Sequence, residues 1–389
     1  MILSNVCLID GTGRVWERVA IRIDGDHIAG IAETEIARAD EENLDLRGKT
    51  VVPGFINCHA HLCLDSSPDP TSAWMRRSIT ENVLIAGRHA ESTLKAGVTT
   101  VRDLGGREAV DLGLKKAIDE GVIQGPRMLV SGRVLCMTGG HGHFMGREVD
   151  GPDEVRKGAR EQLKAGADVI KVMATGGVMT PGVEPGSAQL TYEEILAAVE
   201  EAQKAGKLTA THAQGTTGIK NAVRAGIDSI EHGFFLDTEA IEMMLERGTF
   251  FVPTLAALFH IIEAGLESGI PDFVVEKAKR ASDAQLESVR RAHEARVRIA
   301  AGNDGGTAFN PAGNLASELE RLVAAGLSNA EALDAAHKTA AELLRSSGRI
   351  GTVEPGKLAD MVVLDANPLA DISAVRRVHM VFKAGQRVT

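Results

Sequence analysis

LKAGADVIKVMATGG, residues 163–177, opens as the end of a helix, stops on Gly166 and runs at once into a short apolar segment rich in β-formers. Glycine follows helix C-termini because it takes a left-handed conformation without a Cβ clash. The same joint recurs in LKAGVTTVRDLGG around Gly97, QKAGKLTATHAQG around Gly206, VRAGIDSIEHG around Gly226 and LERGTFFVPTL around Gly248. A series of helix-to-strand joints predicts an α/β fold. VVPGFINCHAH upstream, RMLVSGRVL after Pro126 and VRIAAGND before Gly305 bring the candidate strands to eight. Eight strands alternating with helices predict a (β/α)8 TIM barrel. The rival, an open doubly wound sheet, carries a glycine-rich phosphate turn after its first strand; that position here holds a histidine pair.

Outside this middle the pattern changes. Residues 5–31 run as VCLIDG, VAIRIDG and HIAGIAE, broken by Gly and Asp as hairpins are, and the tail from Gly351 through ADMVVLD to VHMVFKAGQRVT reads the same way. Neither end is long enough to bury a core alone, so the two are expected to form one small β-sandwich, residues 1–52 with 350–389, beside a barrel of residues 53–349. The stretch from Leu258 to Arg296 is charged, Ala-rich and helical in period, an ordinary solvated helix pair.

Composition narrows the function classes. The chain has 389 residues, 44% hydrophobic and 25% charged, the profile of a globular protein with a large core. Lys and Arg number 43 against 53 Asp and Glu, a net −10, and aromatics are only 3%. That excludes a nucleic-acid binder, which shows a basic face with interleaved aromatics. Asp10 interrupts the N-terminal apolar run, and no apolar run approaches the ~20 residues of a bilayer span, so no membrane partner and a cytoplasmic location are expected. Cys7, Cys58, Cys63 and Cys136 form no C-x-x-C pair, which fits a reducing compartment.

The chemistry concentrates at strand ends. His59 and His61 bracket Ala60; residues two apart on a strand share a side, so both imidazoles can converge on one atom. His212 in TATHAQG, His232 in SIEHG and Asp304 in AAGND end three further strands, where barrels of this kind build their sites. Imidazole and carboxylate together suit Zn²⁺ or a related divalent ion. Lys171 sits in the otherwise apolar ADVIKVMAT. Burial lowers an ammonium pKa, so this amine is expected to be partly neutral. Charged, it could form a salt bridge to a neighbouring carboxylate; neutral, it could form a Schiff base or add CO₂ to become an anionic, bidentate carbamate.

His59-Ala-His61, Lys171, His212, His232 and Asp304, with the tail ALDAAHKTAAELL and GRIGTVEPGKLADMVVLDANPLADI, resemble the amidohydrolase superfamily, in particular its members with a carbamylated lysine and two metals. The resemblance spans essentially the whole chain. It implies two divalent metal ions, with zinc expected: His59, His61, Lys171 and Asp304 on one, Lys171, His212 and His232 on the other, the carbamate formed from CO₂. It further implies attack by a metal-bridging hydroxide, with Asp304 as proton shuttle, and assembly as a homo-oligomer.

The loop MTGGHGHFMGR supplies His141 and His143, which glycine-rich backbone brings close to a ligand. It is similar to that of prolidase-like dipeptidases of the superfamily, so a small-molecule dipeptide, L-Xaa-L-Pro first, is the expected substrate. Arg133 and Arg147 are further candidates for the substrate carboxylate. Cys58 and Cys63 read as small packed residues. An N-acyl amino acid or cyclic-amide hydrolase is the alternative. A deaminase related to imidazolonepropionase is disfavoured because His212 is followed by Ala213-Gln214-Gly215 without a further ligand, and a non-catalytic scaffold is disfavoured because no ligand is missing.

Overall fold

The computed structural model describes residues 1–33 and 41–388; residues 34–40 of the expected terminal domain and Thr389 of the tail lie outside the described residues. The first strands are β1 (Ile2–Ile9), β2 (Val15–Asp24), β3 (His27–Ala32), β4 (Asn43–Asp45) and β5 (Thr50–Pro53). The site-bearing strands follow: β6 (Phe55–Ala60), β7 (Val98–Asp103), β8 (Arg127–Val130), β9 (Leu135–Cys136), β10 (Arg147–Glu148), β11 (Val169–Met173), β12 (Leu208–Ala213), β13 (Ser229–His232) and β14 (Phe250–Val252). The last are β15 (Met361–Leu364), β16 (Val378–Lys383) and β17 (Gln386–Arg387).

The middle of the chain is an α/β fold of TIM-barrel type. β6, β7 and β8 form one parallel arc, and β10, β9, β11, β12, β13 and β14 a second. Every residue of β6, β7, β11, β12 and β13 is buried, as expected of strands with helices on the outer face and packed side chains on the inner. A backbone bond joins the arcs, from Asp168 N to the Val130 carbonyl at 2.8 Å, and Cys58 N of the first arc bonds to the Ala301 carbonyl of the segment before Gly305 at 2.9 Å. Two strand readings are corrected. RMLVSGRVL is two short strands, β8 and β9, parted by a turn with a left-handed Gly132. VRIAAGND forms no regular strand: it bridges Phe251 through Ile299 and Ala60 through Gly305. Its left-handed Asp304 (φ 54°) breaks the extended backbone.

The joint glycines explain why each strand starts where it does. Gly97, Gly166, Gly206, Gly226 and Gly248 all have positive φ, from 65° to 102°, turning the chain out of a helix within one residue. Helix starts are set as sharply, by capping boxes at Ser78 with Glu81, Thr191 with Glu194 and Ser328 with Glu331. The Leu258–Arg296 region is a helix pair, Leu255–Ala264 and Asp272–Glu294.

The two ends of the chain meet in one hydrogen-bonded path: β17, β16, β15, β5, β1, β2, β3, with β4 beside β1. The reason lies in β1. Its first half pairs with β4 and its second half with β5, the register shifting around Asn5 (φ 59°), so one strand serves both neighbours and the path does not break. Leu3, Leu8, Ile21, Val363 and Phe382 bury one apolar cluster on it. No helix among the described residues is long and apolar enough to cross a membrane.

Candidate metal centre

Strand ends bring six side chains to one cavity: His59 from β6, His61 just beyond it, Lys171 from β11, His212 from β12, His232 from β13 and Asp304 from the bridging segment. Parallel register places Met173 beside His212 and Ala213 beside His232, which keeps these ends level. His59 and His61 Nε2 lie 3.3 and 3.5 Å from Asp304 Oδ1. One ligand atom from each of the three falls within 4.8 Å of the others. Across the cavity the His212 and His232 rings are 4.5 Å apart, and His232 is 5.1 Å from His59.

An imidazole ligates through its lone pair, so the position of its proton decides what it can do. Here each proton is spoken for. His61 Nδ1 donates to the Gly105 carbonyl at 2.9 Å, and His212 Nε2 to the Gly176 carbonyl at 2.9 Å. His232 Nδ1 donates to Thr254 Oγ1 at 2.7 Å, because the threonine's own proton goes to the Pro253 carbonyl at 2.7 Å. His59 Nδ1 donates to Glu231 Oε2 at 2.8 Å. Burial, the largest cause in each case, holds all four rings neutral: His61 is pushed down to about 4, and His59, His212 and His232 well below the ordinary imidazole value. The other nitrogen of each ring is therefore a bare lone pair.

At the centre of these rings Lys171 is 1% exposed and its Nζ has no hydrogen-bond partner among the described residues. Burial pushes its amine down to about 8, against the pull of Glu231 and Asp304. Burial likewise pushes Asp304 up to about 7, against the attraction of Lys171. An orphaned buried amine, a carboxylate and four outward-protonated imidazoles are a nitrogen and oxygen donor set that fits divalent ions such as zinc. The backbone is bent to achieve this. Glu231 already faces inward, so a regular strand would turn His232 the other way; φ 72° at His232 breaks the alternation, and Thr254 and Asp304 are also left-handed at φ 54°.

The substrate-side candidates divide. His141 lines the cavity, its ring 4.2 Å from His212 and its Nδ1 2.8 Å from Thr180 Oγ1. Gly177 makes room for it: a Cβ there would stand 2.4 Å from the His141 ring. His143, Arg133 and Arg147 do not line the cavity. The His143 ring turns back to the Gly140 carbonyl, the Arg133 guanidinium is held by the Gly146 carbonyl, and Arg147 pairs with Glu154 and Glu161. The remaining wall is mostly apolar, including Phe144, Met173, Val178, Phe234 and Leu258.

Sequence reading missed Glu231, Arg102 and Ser229, which lie beneath His59, and Thr254, which orients His232. The signal was there for Glu231 and Arg102: Glu231 in SIEH, and Arg102 beside Asp103 in VTTVRD, are charged residues within fully buried strands.

A family model, the amidohydrolase family, matches residues 50–388. The chain belongs to the amidohydrolase family. Among relatives, it is 32% identical to an ochratoxinase of Aspergillus niger over 417 aligned positions, covering 97% of this chain and 84% of the ochratoxinase. Among solved structures, a Xaa-Pro dipeptidase with methionine bound in its active site is 34% identical with a TM-score of 0.93, covering 99% of this chain and 98% of that one. A prolidase complexed with N-methylphosphonate-L-proline is 32% identical with a TM-score of 0.92, over 100% and 99% of the two chains. As an amidohydrolase the protein is a hydrolase of small molecules, and the cavity with its lone-pair ring is where an amidohydrolase of this type would hold metal.

Proposed function

We propose that this amidohydrolase cleaves the amide bond of dipeptides, L-Xaa-L-Pro first, with two divalent ions, zinc expected, in a closed (β/α)8 barrel of residues 53–349 carried beside a terminal domain of residues 1–52 and 350–389. The observation that carries the reading is the ring of four imidazole lone pairs around the unpartnered amine of Lys171. Likeness to a Xaa-Pro dipeptidase and to a prolidase supports the dipeptide.

His59, His61 and Asp304 would hold one ion, His212 and His232 the other, with Lys171 as its carbamate between them. Carbamate formation is balanced: the neutral amine adds to CO₂, forming the N–C bond and releasing one proton. When bound, the ions supply a water acidic enough to attack at neutral pH and polarise the scissile carbonyl. Asp304 takes the proton of the attacking water and passes it to the leaving nitrogen, so one carboxylate is base, then acid. His141, a polar side chain of the lining with Nδ1 held by Thr180, would contact the substrate. The apolar wall receives its side chain.

A second reading, hydrolysis of N-acyl amino acids, is favoured by the cavity itself. No carboxylate besides Asp304 lines it among the described residues, so no acid there is left to pair with the α-ammonium of a free dipeptide. A library of free-amine dipeptides and N-acyl amino acids, offered to protein loaded with Zn²⁺ and bicarbonate, tests both. Release of proline from Xaa-Pro is expected; turnover of acylated amino acids alone would replace the first reading by the second, and inertness of metal-loaded protein on both would sink both.

A further inference from the structure

Beneath His59 lies a buried set of side chains that touches no substrate surface. Arg102, fully buried, donates from Nε to the Cys58 carbonyl at 2.6 Å, from one terminal nitrogen to Ser229 Oγ at 2.9 Å and from the other to Glu231 Oε1 at 2.8 Å. Ser229 Oγ passes its own proton to Glu231 Oε1 at 2.6 Å. Two donors thus fill Oε1, and among the described residues the hydrogen bond at Oε2 comes from His59 Nδ1, at 2.8 Å. The set ties three strands together: β6 through Cys58, β7 through Arg102, and β13 through Ser229 and Glu231.

We propose that Glu231 is a positioning residue that dictates which ring nitrogen of His59 bears the proton, and so makes His59 competent to hold an ion. The metal consequence rests on the hydrolase reading above; the proton placement rests on the hydrogen bonds alone. A guanidinium has donors and no acceptor, so Arg102 demands an oxygen at the Oε1 position. With a carboxylate there, the second oxygen also accepts, and His59 must present Nδ1–H and leave Nε2 bare. With a carboxamide, the oxygen goes to Arg102 and Ser229, and the NH₂ group confronts Nδ1. The imidazole proton then belongs on Nε2, which stands 3.3 Å from Asp304 Oδ1. That N–H would occupy the direction the ion needs. Orienting partners of metal-bound histidines are typically worth about 10- to 100-fold in affinity.

The experiment uses full-length protein with ring-¹⁵N histidine, metal-free, and long-range ¹⁵N–¹H correlation spectra in which the two neutral tautomers differ, with His59→Asn to assign the signal. Wild type is expected to show His59 protonated at Nδ1, Glu231→Gln at Nε2, and Glu231→Asp at Nδ1 again. Zn²⁺ titration against a chelator, with bicarbonate present, is expected to show roughly 10- to 100-fold weaker binding of one ion in Glu231→Gln. A wild-type His59 protonated at Nε2 overturns the proposal even if no variant folds. So does a Glu231→Gln protein that keeps Nδ1–H and binds zinc as wild type does. Wild type that shows Nδ1–H yet takes up no divalent ion supports the proton placement and overturns the hydrolase reading instead.

Discussion

The imidazoles of His141 and His212 lie 4.2 Å apart with 38° between their planes, one on the substrate side of the cavity and one on the strand that closes it. Burial pushes His141 down to about 3, so it meets a substrate as a neutral ring. His141→Gln is expected to lower kcat/KM by about 10- to 100-fold, the scale of one lost transition-state donor or a little less. Zinc content, read by atomic absorption, should stay at the wild-type value.

Arg133→Gln and Arg147→Gln serve as the counterpart. Their guanidiniums are committed to the Gly146 carbonyl and to Glu154 and Glu161, away from the cavity. KM for any amide substrate should change by less than about twofold, since surface ion pairs carry little energy. A large rise in KM would restore the sequence-based assignment of the carboxylate site.

Thr254 orients His232 and spends its proton on Pro253. Thr254→Val keeps the volume and removes the acceptor, leaving the His232 Nδ1–H unpaired. We expect about tenfold weaker zinc binding at one of two positions in a chelator competition, with Thr254→Ser close to wild type.

Carbamate formation on Lys171 needs the neutral amine, and burial brings that amine to about 8. In metal-free protein the ammonium dominates below this value and the amine above it. Uptake of ¹³C-bicarbonate carbon, followed by NMR at fixed dissolved CO₂, is therefore expected to rise between about pH 6.5 and pH 8.5 and to vanish in Lys171→Ala. Uptake independent of pH would contradict the neutral-amine route.

Acid sensitivity has a separate origin. His337 is buried and stacked on Phe55 at 5.1 Å, and burial pushes it down to about 3; His141 and His61 go to about 3 and about 4. These folded values lie below that of the unfolded chain, which therefore binds more protons as pH falls through about 6.5. Stability is complete above that pH and is lost progressively towards pH 3. Each group contributes about 1 kcal/mol of that loss one pH unit below its unfolded value. Urea melts of metal-free protein at pH 7 and pH 5.5 should show it, and His337→Phe should remove about one group's share.

The centre was legible in the sequence to the extent that single strands carry it. The spacing of His59 and His61, and a lone lysine in an apolar run, are local facts, and the structure places both at one cavity with His212, His232 and Asp304. What could not be read is pairing across the interior: Glu231 is 172 positions from His59, and Arg102 is 129 from Glu231. The partners of Arg133 and Arg147 were hidden for a related reason: the Gly146 carbonyl lies 13 positions from Arg133, and Glu161 lies 14 from Arg147. The terminal strands were recognised by their alternation, but alternation cannot say that β1 would be shared between two partners.

β5 also binds the N-terminal strands to the C-terminal ones. β5, which leads straight into the strand bearing His59, finds its antiparallel partner in β15, pairing Val52 with Val362, and Lys49 reaches Asp365 across 316 positions. Residues 50–53 cannot take their native place until residues 361–364 are present to pair with them. Native pairings of such long range are slow to form. Alignment of His59 at the cavity is thereby tied to a contact between segments some three hundred positions apart, and is expected among the later events of folding.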